Sequence, residues 1–287
     1  MRRAVIDIGT NTVKLLVADI RDGQVVSVVS KDQTTRLGEG VDATRQLNPA
    51  AIARTVTAIA GYVADARELE ATNLIAFTTS AARDAGNQQD FLDAVRRRCE
   101  LEVEVLTGER EAELIFRGVA SDPVWAQRRL LVLDIGGGSA EFIQGAAGRI
   151  ERWQSLPLGA VRLTEQFRER SFAELVEYLR TTLRSALADY EVKGRQFIAT
   201  GGATTTLGRI ATGKADYARL TFAEVSSLVA QLNALPLIER RQIPGLPPDR
   251  ADIIVAGGAV LMFAMEILDA TDLTVSTRNL RYGALLS

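Results

Sequence analysis

The sequence predicts a mixed α/β protein built from two related domains, and three observations carry that prediction. The first is a near repeat: VIDIGTNTVKLLVADI at 5–20 and LLVLDIGGGSAEFIQG at 130–145 share an apolar run, an Asp-Ile-Gly turn and a second apolar run. Asp7 and Asp134 occupy equivalent places. The second is the alternation, in both halves, of short strand-like runs with stretches of helical spacing. The third is length, because 287 residues suffice for two domains with their own cores.

Each copy of the repeat reads as two strands joined by a tight turn. Gln24 to Ser30 follows as a third strand, and Arg36 to Gly40 as a loop. Helical spacing covers 49–70, with Asn48 as N-cap and Pro49 at the first helical position. Leu74 to Thr78 is a short buried strand, Gln88 to Cys99 a helix, Val103 to Leu106 a strand, and Gly108 to Val119 a helix with Glu109, Glu111 and Glu113 in its first turns. The second half repeats the plan, with a strand near Glu151 to Leu156, helices within 160–190, the strand Gln196 to Ala199 and a glycine turn. Pro236, Pro244, Pro247 and Pro248 mark an irregular loop before a helix at about 250–268 and a strand at Leu273 to Ser276. Ser121-Asp122-Pro123 interrupts the periodicity. The domains are therefore placed at 1–122 and 123–287, with the extreme C-terminus as a candidate addition to the first.

Composition removes several classes of function. Lys plus Arg number 34 against 36 Asp plus Glu, so no overall field draws in a polyanion and any grip on phosphate must be local. This argues against a nucleic-acid-coating protein. Cys99 is the only cysteine and there is no histidine, which rules out an internal disulfide, imidazole-based zinc sites and histidine phosphotransfer. An acid or base working near neutral pH must then be a carboxylate, Lys, Tyr or Cys. Met1-Arg2-Arg3 leads straight into strand-like residues, and no apolar run approaches membrane-spanning length. A cytoplasmic protein that does not cross a membrane is expected.

The turns carry the candidate chemistry. In the first, Gly9 permits close backbone approach and Thr10, Asn11 and Thr12 supply donors. Lys14 adds charge if strand alternation turns it inward, and is otherwise a solvated strand residue. The second, Gly136-Gly137-Gly138-Ser139, sets three glycines in a row, each costing about 1 kcal/mol relative to Ala. Close approach of a ligand explains them. Asp7 and Asp134 are placed to hold a divalent metal among phosphate oxygens, and Glu141, two residues past Ser139, is a candidate partner of Asp134 around a hydrated ion. A third turn, from Thr200 through Gly201 and Gly202 to Thr206, follows a strand and opens a helix, where an anion is favoured. Ser80 and Arg83 lie just past the end of a buried strand, where ligand residues collect in α/β folds. Arg83 either clamps phosphate or pairs with Asp84 or another acid.

The duplicated Asp-Ile-Gly hairpin resembles the actin-like ATPase superfamily, whose two ribonuclease H-like domains flank an active-site cleft. The succession IDIGTNTVKLLV, RLGEG, TTSAARDAGN, LTGEREAELIFRGV, LDIGGGSAEF, SLPLGAVRLTE, ATGGATTTLG, RADIIVAGG and VSTRNLRYG narrows the resemblance to the exopolyphosphatase and guanosine pentaphosphate phosphatase family. It implies that Glu111 is the base that aligns and deprotonates the attacking water. Asp134 and Glu141 would hold Mg²⁺ (or Mn²⁺), with Asp7 added as a metal residue by the turn chemistry above rather than by the resemblance. Asp7, Gly9, Thr10, Asn11, Arg83, Gly136, Gly137, Gly138 and Ser139 would bind the phosphates, with Thr12, Lys14, Ser80, Gly201 and Gly202 added by the residue chemistry above.

The implied substrates are inorganic polyphosphate and guanosine pentaphosphate, and the implied assembly is a homodimer. The closing segment departs from the family's Ser-Asp-x-Gly-Leu-Arg-Glu-Gly, because Thr277 and Tyr282 replace two acids. The length is that of the short, two-domain members. Two other readings stand beside this one: a kinase or ATPase of the same superfamily, and a weakly catalytic regulator that binds guanosine tetraphosphate or polyphosphate.

Overall fold

A computed structural model of the chain describes residues 1–287, which divide into two compact units. Unit 1 comprises Met1–Ser121 and Leu280–Ser287, and unit 2 comprises Asp122–Asn279.

Unit 1 contains β1 (Arg2–Ile8), β2 (Thr12–Arg21), β3 (Gln24–Thr34), α1 (Val41–Thr44), α2 (Pro49–Glu68), β4 (Asn73–Thr78), α3 (Ser80–Arg83), α4 (Gln88–Cys99), β5 (Glu104–Val105) and α5 (Gly108–Ala120). Its sheet has the order β3-β2-β1-β4-β5, antiparallel through the first three strands and parallel from β1 to β5. Strand alternation sends Ala4, Ile6, Ile8, Val13, Leu15 and Val17 into one core with Ile59 and Val63 of α2 and Phe91 and Val95 of α4. Asp7 and Lys14, on the alternate positions, belong to the other face. The Asn48 side chain caps α2 by accepting from Ala50 N, and Thr107 caps α5 by accepting from Arg110 N.

Unit 2 repeats the scheme. It contains β6 (Arg129–Ile135), β7 (Ala140–Ala146), β8 (Arg149–Leu156), α6 (Ala160–Gln166), α7 (Phe172–Ala186), β9 (Gln196–Gly201), α8 (Gly202–Thr212), β10 (Arg219–Thr221), α9 (Phe222–Ala234), α10 (Leu237–Arg240), a 3₁₀ turn at Pro248–Arg250, α11 (Ile254–Ile267) and β11 (Asp272–Val275). The sheet order is β10-β11-β9-β6-β7-β8. The hairpin with its third antiparallel strand, and the parallel strand on the far side of the first, recur in the same relation. Leu131, Leu133, Ile135 and Phe142 join Leu179, Leu207, Val229 and Val260 in the second core. Helix α11 is buried on nearly every side, yet no helix is long and apolar enough to cross a membrane.

Some elements differ from the sequence expectation. Strand β3 runs on to Thr34, four residues beyond Ser30, because β2 pairs with it along that whole length. Helix α11 starts at Ile254, since Pro247 and Pro248 fit the preceding 3₁₀ turn. The six-residue helix α12 (Leu280–Leu285) groups with unit 1, where it packs on α5, β1 and β2. At Gly283 its backbone lies so close to α5 that a methyl group would overlap the Leu114 carbonyl. Gly283→Ala is accordingly expected to destabilise the protein by about 1–3 kcal/mol, the range for overpacking. Denaturant titration against the wild type would measure it, and an unchanged midpoint would refute the close packing.

Candidate active site

In unit 1 the first turn is fixed from behind. Gly9 N donates to Thr12 O at 3.1 Å, closing the turn on itself. The Thr10 carbonyl accepts from Gly38 N, and the Asn11 carbonyl accepts from both Thr35 N and Arg36 N. Because a trans peptide points its N–H away from its carbonyl, the amides of Asn11 and Thr12 point the opposite way, as an anion-binding turn requires. Thr10, Asn11 and Thr12 are all buried, Asn11 Nδ2 donates to Thr12 Oγ1 at 3.2 Å, and Asn11 Oδ1 has no protein partner.

The register settles which way Lys14 faces. It lies directly opposite Asp7, and cross-strand partners share a face. Burial pushes the Asp7 carboxyl above its ordinary range, and the charges of Lys14 and Arg281 pull it back.

Arg83 and Glu111 meet in the same unit. Arg83 Nη1 donates to Glu111 Oε2 at 3.0 Å and to the Leu106 carbonyl at 2.8 Å. Glu111 is 6% exposed, in the first turn of α5, and is not a solvated helix residue. Arg110 pairs with Glu113, and Arg117 donates to Ser287 Oγ. Asp84 accepts from Ser80 Oγ at 3.1 Å, leaving Arg83 to Glu111. With Nη1 engaged twice, the guanidinium keeps three further N–H donors on Nη2 and Nε, enough to bind a phosphoryl oxygen while orienting the carboxylate.

Unit 2 repeats the turn with different supports. Gly136 N donates to Ser139 O at 3.0 Å, the counterpart of the Gly9 bond. The carbonyls of Gly136 and Gly137 accept from the first amides of α6, those of Ala160, Val161 and Arg162. Arg162 Nε donates to Gly138 O at 2.9 Å. The amides of Gly137, Gly138 and Ser139 therefore face away from α6. Position 159 admits only glycine: α6 begins so close behind the turn that a methyl on Gly159 would overlap the Gly137 and Gly138 backbone.

Asp134 lies directly opposite Glu141 across β6 and β7, and the two are 8% and 1% exposed. Ser155 Oγ donates to Glu141 Oε1 at 2.7 Å. On the other side of β6, Thr200 pairs with Asp134 in register, and its buried Oγ1 has no protein partner. Gly201 approaches still more closely, because a Cβ there would stand 2.7 Å from Asp134 Oδ1. Gly202 opens α8, and a Cβ on it would overlap Arg250 Nη1, so the third turn has a guanidinium against it.

No three acidic side chains gather into a ready-made metal cage. The adjacent pair Asp134 and Glu141 nevertheless fits Mg²⁺, a hard ion that commonly takes one or two carboxylates and keeps several waters. Ser155, Gly159, Arg162 and Arg250 were not singled out from the sequence. Extending the β7–β8 register would have found Ser155, whereas the other three act through tertiary approach that no local pattern announces.

A sequence profile described as the Ppx/GppA phosphatase family matches residues 16–287. The chain belongs to that family. Exopolyphosphatase 1 of Mycobacterium tuberculosis is 32% identical over 301 aligned residues, spanning all of this chain and 88% of its own. Among solved structures, an exopolyphosphatase from Cytophaga hutchinsonii superposes with a TM-score of 0.90 at 29% identity, covering 99% of this chain and 96% of that one. The Aquifex aeolicus Ppx/GppA member gives 0.83 at 30% identity, covering 100% and 96%. These relatives carry the actin-like α/β fold that the duplicated hairpin predicts.

Proposed function

We propose that this protein hydrolyses the terminal phosphoanhydride of inorganic polyphosphate, releasing orthophosphate, and that guanosine pentaphosphate is a second substrate. The observation that carries the reading is the ion pair of half-buried Arg83 with buried Glu111, at the start of α5, in a member of a phosphatase family. Phosphoanhydride hydrolysis needs a water held in line and negative charge offset on the transferred phosphoryl. Glu111 supplies the acceptor for that water's proton, and Arg83, held by the Leu106 carbonyl, fixes its position. The outward amides of Asn11, Thr12, Gly137, Gly138 and Ser139 bind phosphate oxygens.

Asp134 and Glu141 are the residues that would hold Mg²⁺, with Ser155 orienting Glu141. When bound, the ion supplies charge neutralisation at the phosphate chain. The protein is read as cytoplasmic.

Orthophosphate release from polyphosphates of defined length and from guanosine pentaphosphate, with and without Mg²⁺, tests it. Metal-dependent release from polyphosphate is expected. Inertness toward both at saturating Mg²⁺ would end the proposal. ATP turnover with polyphosphate untouched would favour a kinase or ATPase, and tight binding without turnover a regulator.

Asp134→Asn is expected to lower release at fixed Mg²⁺ by at least about 10²-fold, in the range of lost electrostatic stabilisation. Steady-state assays across a Mg²⁺ series would show it, and wild-type rates would refute the role.

A further inference from the structure

The two duplicated hairpins share a register and differ in charge. In each, the acid near the end of the first strand faces the residue seven positions later: Asp7 faces Lys14 and Asp134 faces Glu141. The third strand extends both rows, with Asp32 opposite Lys14 and Ser155 opposite Glu141. Directly opposed residues of an antiparallel pair stand on one face with Cβ atoms about 4.5–5.5 Å apart. The row in unit 1 thus reads acid, base, acid, and the row in unit 2 reads acid, acid, hydroxyl.

A second cation borders the first row. Arg281, on the helix that packs against β1 and β2, donates from Nη1 to Ser30 Oγ at 3.3 Å and acts electrostatically on Asp7. Asp7 is only 6% exposed, so an ionised carboxylate there needs positive charge nearby, and Lys14 is built in to supply it. The equivalent position in unit 2 holds a second carboxylate, which invites a cation from solution. A divalent ion entering the first row would meet an ammonium, whereas one entering the second meets two carboxylates.

We propose that Lys14 is the internal counter-cation of Asp7, standing in unit 1 where unit 2 uses a bound divalent metal, so that Asp7 positions the first turn and is not a metal ligand. Asp32 and Arg281 hold Lys14 and Asp7 in this row as positioning residues. The inference rests on the reading above only in taking Asp134 and Glu141 as the metal-binding pair.

Mn²⁺ binding followed by electron paramagnetic resonance, with Mn²⁺ alone and no substrate, tests it. The wild type should bind one Mn²⁺ per chain. Asp134→Asn and Glu141→Gln should each weaken binding at least about 10-fold, while Asp7→Asn leaves the affinity within about 3-fold. Lys14→Glu, which copies the acid pair of unit 2 into unit 1, should add a second Mn²⁺ per chain, and Lys14→Arg should not.

Equal loss of Mn²⁺ in Asp7→Asn and Asp134→Asn would overturn the proposal, as would a wild type that binds none. A folded Lys14→Glu variant with a single Mn²⁺ would overturn it too. If Lys14→Glu fails to fold, the comparison of Asp7→Asn with Asp134→Asn decides alone. Failure of the hydrolase reading is separable, since it would show as absent orthophosphate release while the Mn²⁺ pattern is scored without substrate.

Discussion

Replacing Glu111 by glutamine is expected to slow orthophosphate release from polyphosphate by about 10²–10⁴-fold while the polymer still binds, the range for removing a general base. That loss corresponds to roughly 3–5 kcal/mol of transition-state stabilisation. Glutamine keeps an oxygen that can accept from Arg83 Nη1, so the guanidinium stays in place and a folding defect should not confuse the result. Substrate affinity should hold, because the amides proposed to bind phosphate lie on other segments and Arg83 keeps the donors on Nη2 and Nε. Single-turnover rates and calorimetric binding on the same preparation separate the two quantities. Parallel loss of binding and rate would show that Glu111 maintains structure rather than moving a proton. A wild type with negligible turnover would shift the reading toward a regulator.

Gly201→Ala should be the most damaging small substitution in unit 2. The residue has a φ of 96°, which alanine adopts poorly, and an added Cβ would overlap Ile135 O and stand 2.7 Å from Asp134 Oδ1. Something must move: either β9 parts from β6 at the end of the strand or the Asp134 carboxylate is displaced. Strain and overpacking together predict a loss of about 2–4 kcal/mol in stability, with activity falling by more than about 10²-fold where the fold survives.

Gly213→Ala is the control. Gly213 has a φ of 76° but opens onto empty space, so it should show only the conformational cost of about 1 kcal/mol. Denaturation midpoints and rates for the pair distinguish a site effect from a generic glycine effect. Similar behaviour of both variants would mean that contact with Asp134 is unimportant.

The hairpins were legible from sequence because their signal is local. Asp-Ile-Gly between two apolar runs is a strand–turn–strand pattern, and its recurrence implies duplication. The structure carries that equivalence down to matching Gly9–Thr12 and Gly136–Ser139 hydrogen bonds. Helix α2 was equally plain, since Asn48 and Pro49 are start signals that act within one turn. Helix α9 passed unread although Thr221 and Glu224 form a capping box, visible as Thr-x-x-Glu before an apolar-spaced run. Strand β10 and helix α12 are three and six residues long, too short for a period to show.

Within the site, the residue types were readable and their pairings were not. Glu111 and Arg83 stood out separately, but their ion pair joins segments 28 positions apart. Lys14 was ambiguous for a different reason. Its orientation follows from register, which a turn of four residues fixes only once the strand ends are known. The backing of the second turn by Gly159 and Arg162 could not be foreseen, because it depends on where α6 begins in space.

The return of α12 to unit 1 has a consequence for biosynthesis. A ribosome delivers the chain from its N-terminus, so residues 1–121 emerge without the segment that covers α5, β1 and β2. Unit 2 is continuous and can finish as soon as it has been extruded, but its partner must wait on the order of 10 s at about 5–20 residues per second. During that interval the unfinished face is a natural client for chaperones, and nascent chains cut short before Leu280 should be proteolysed sooner than full-length ones.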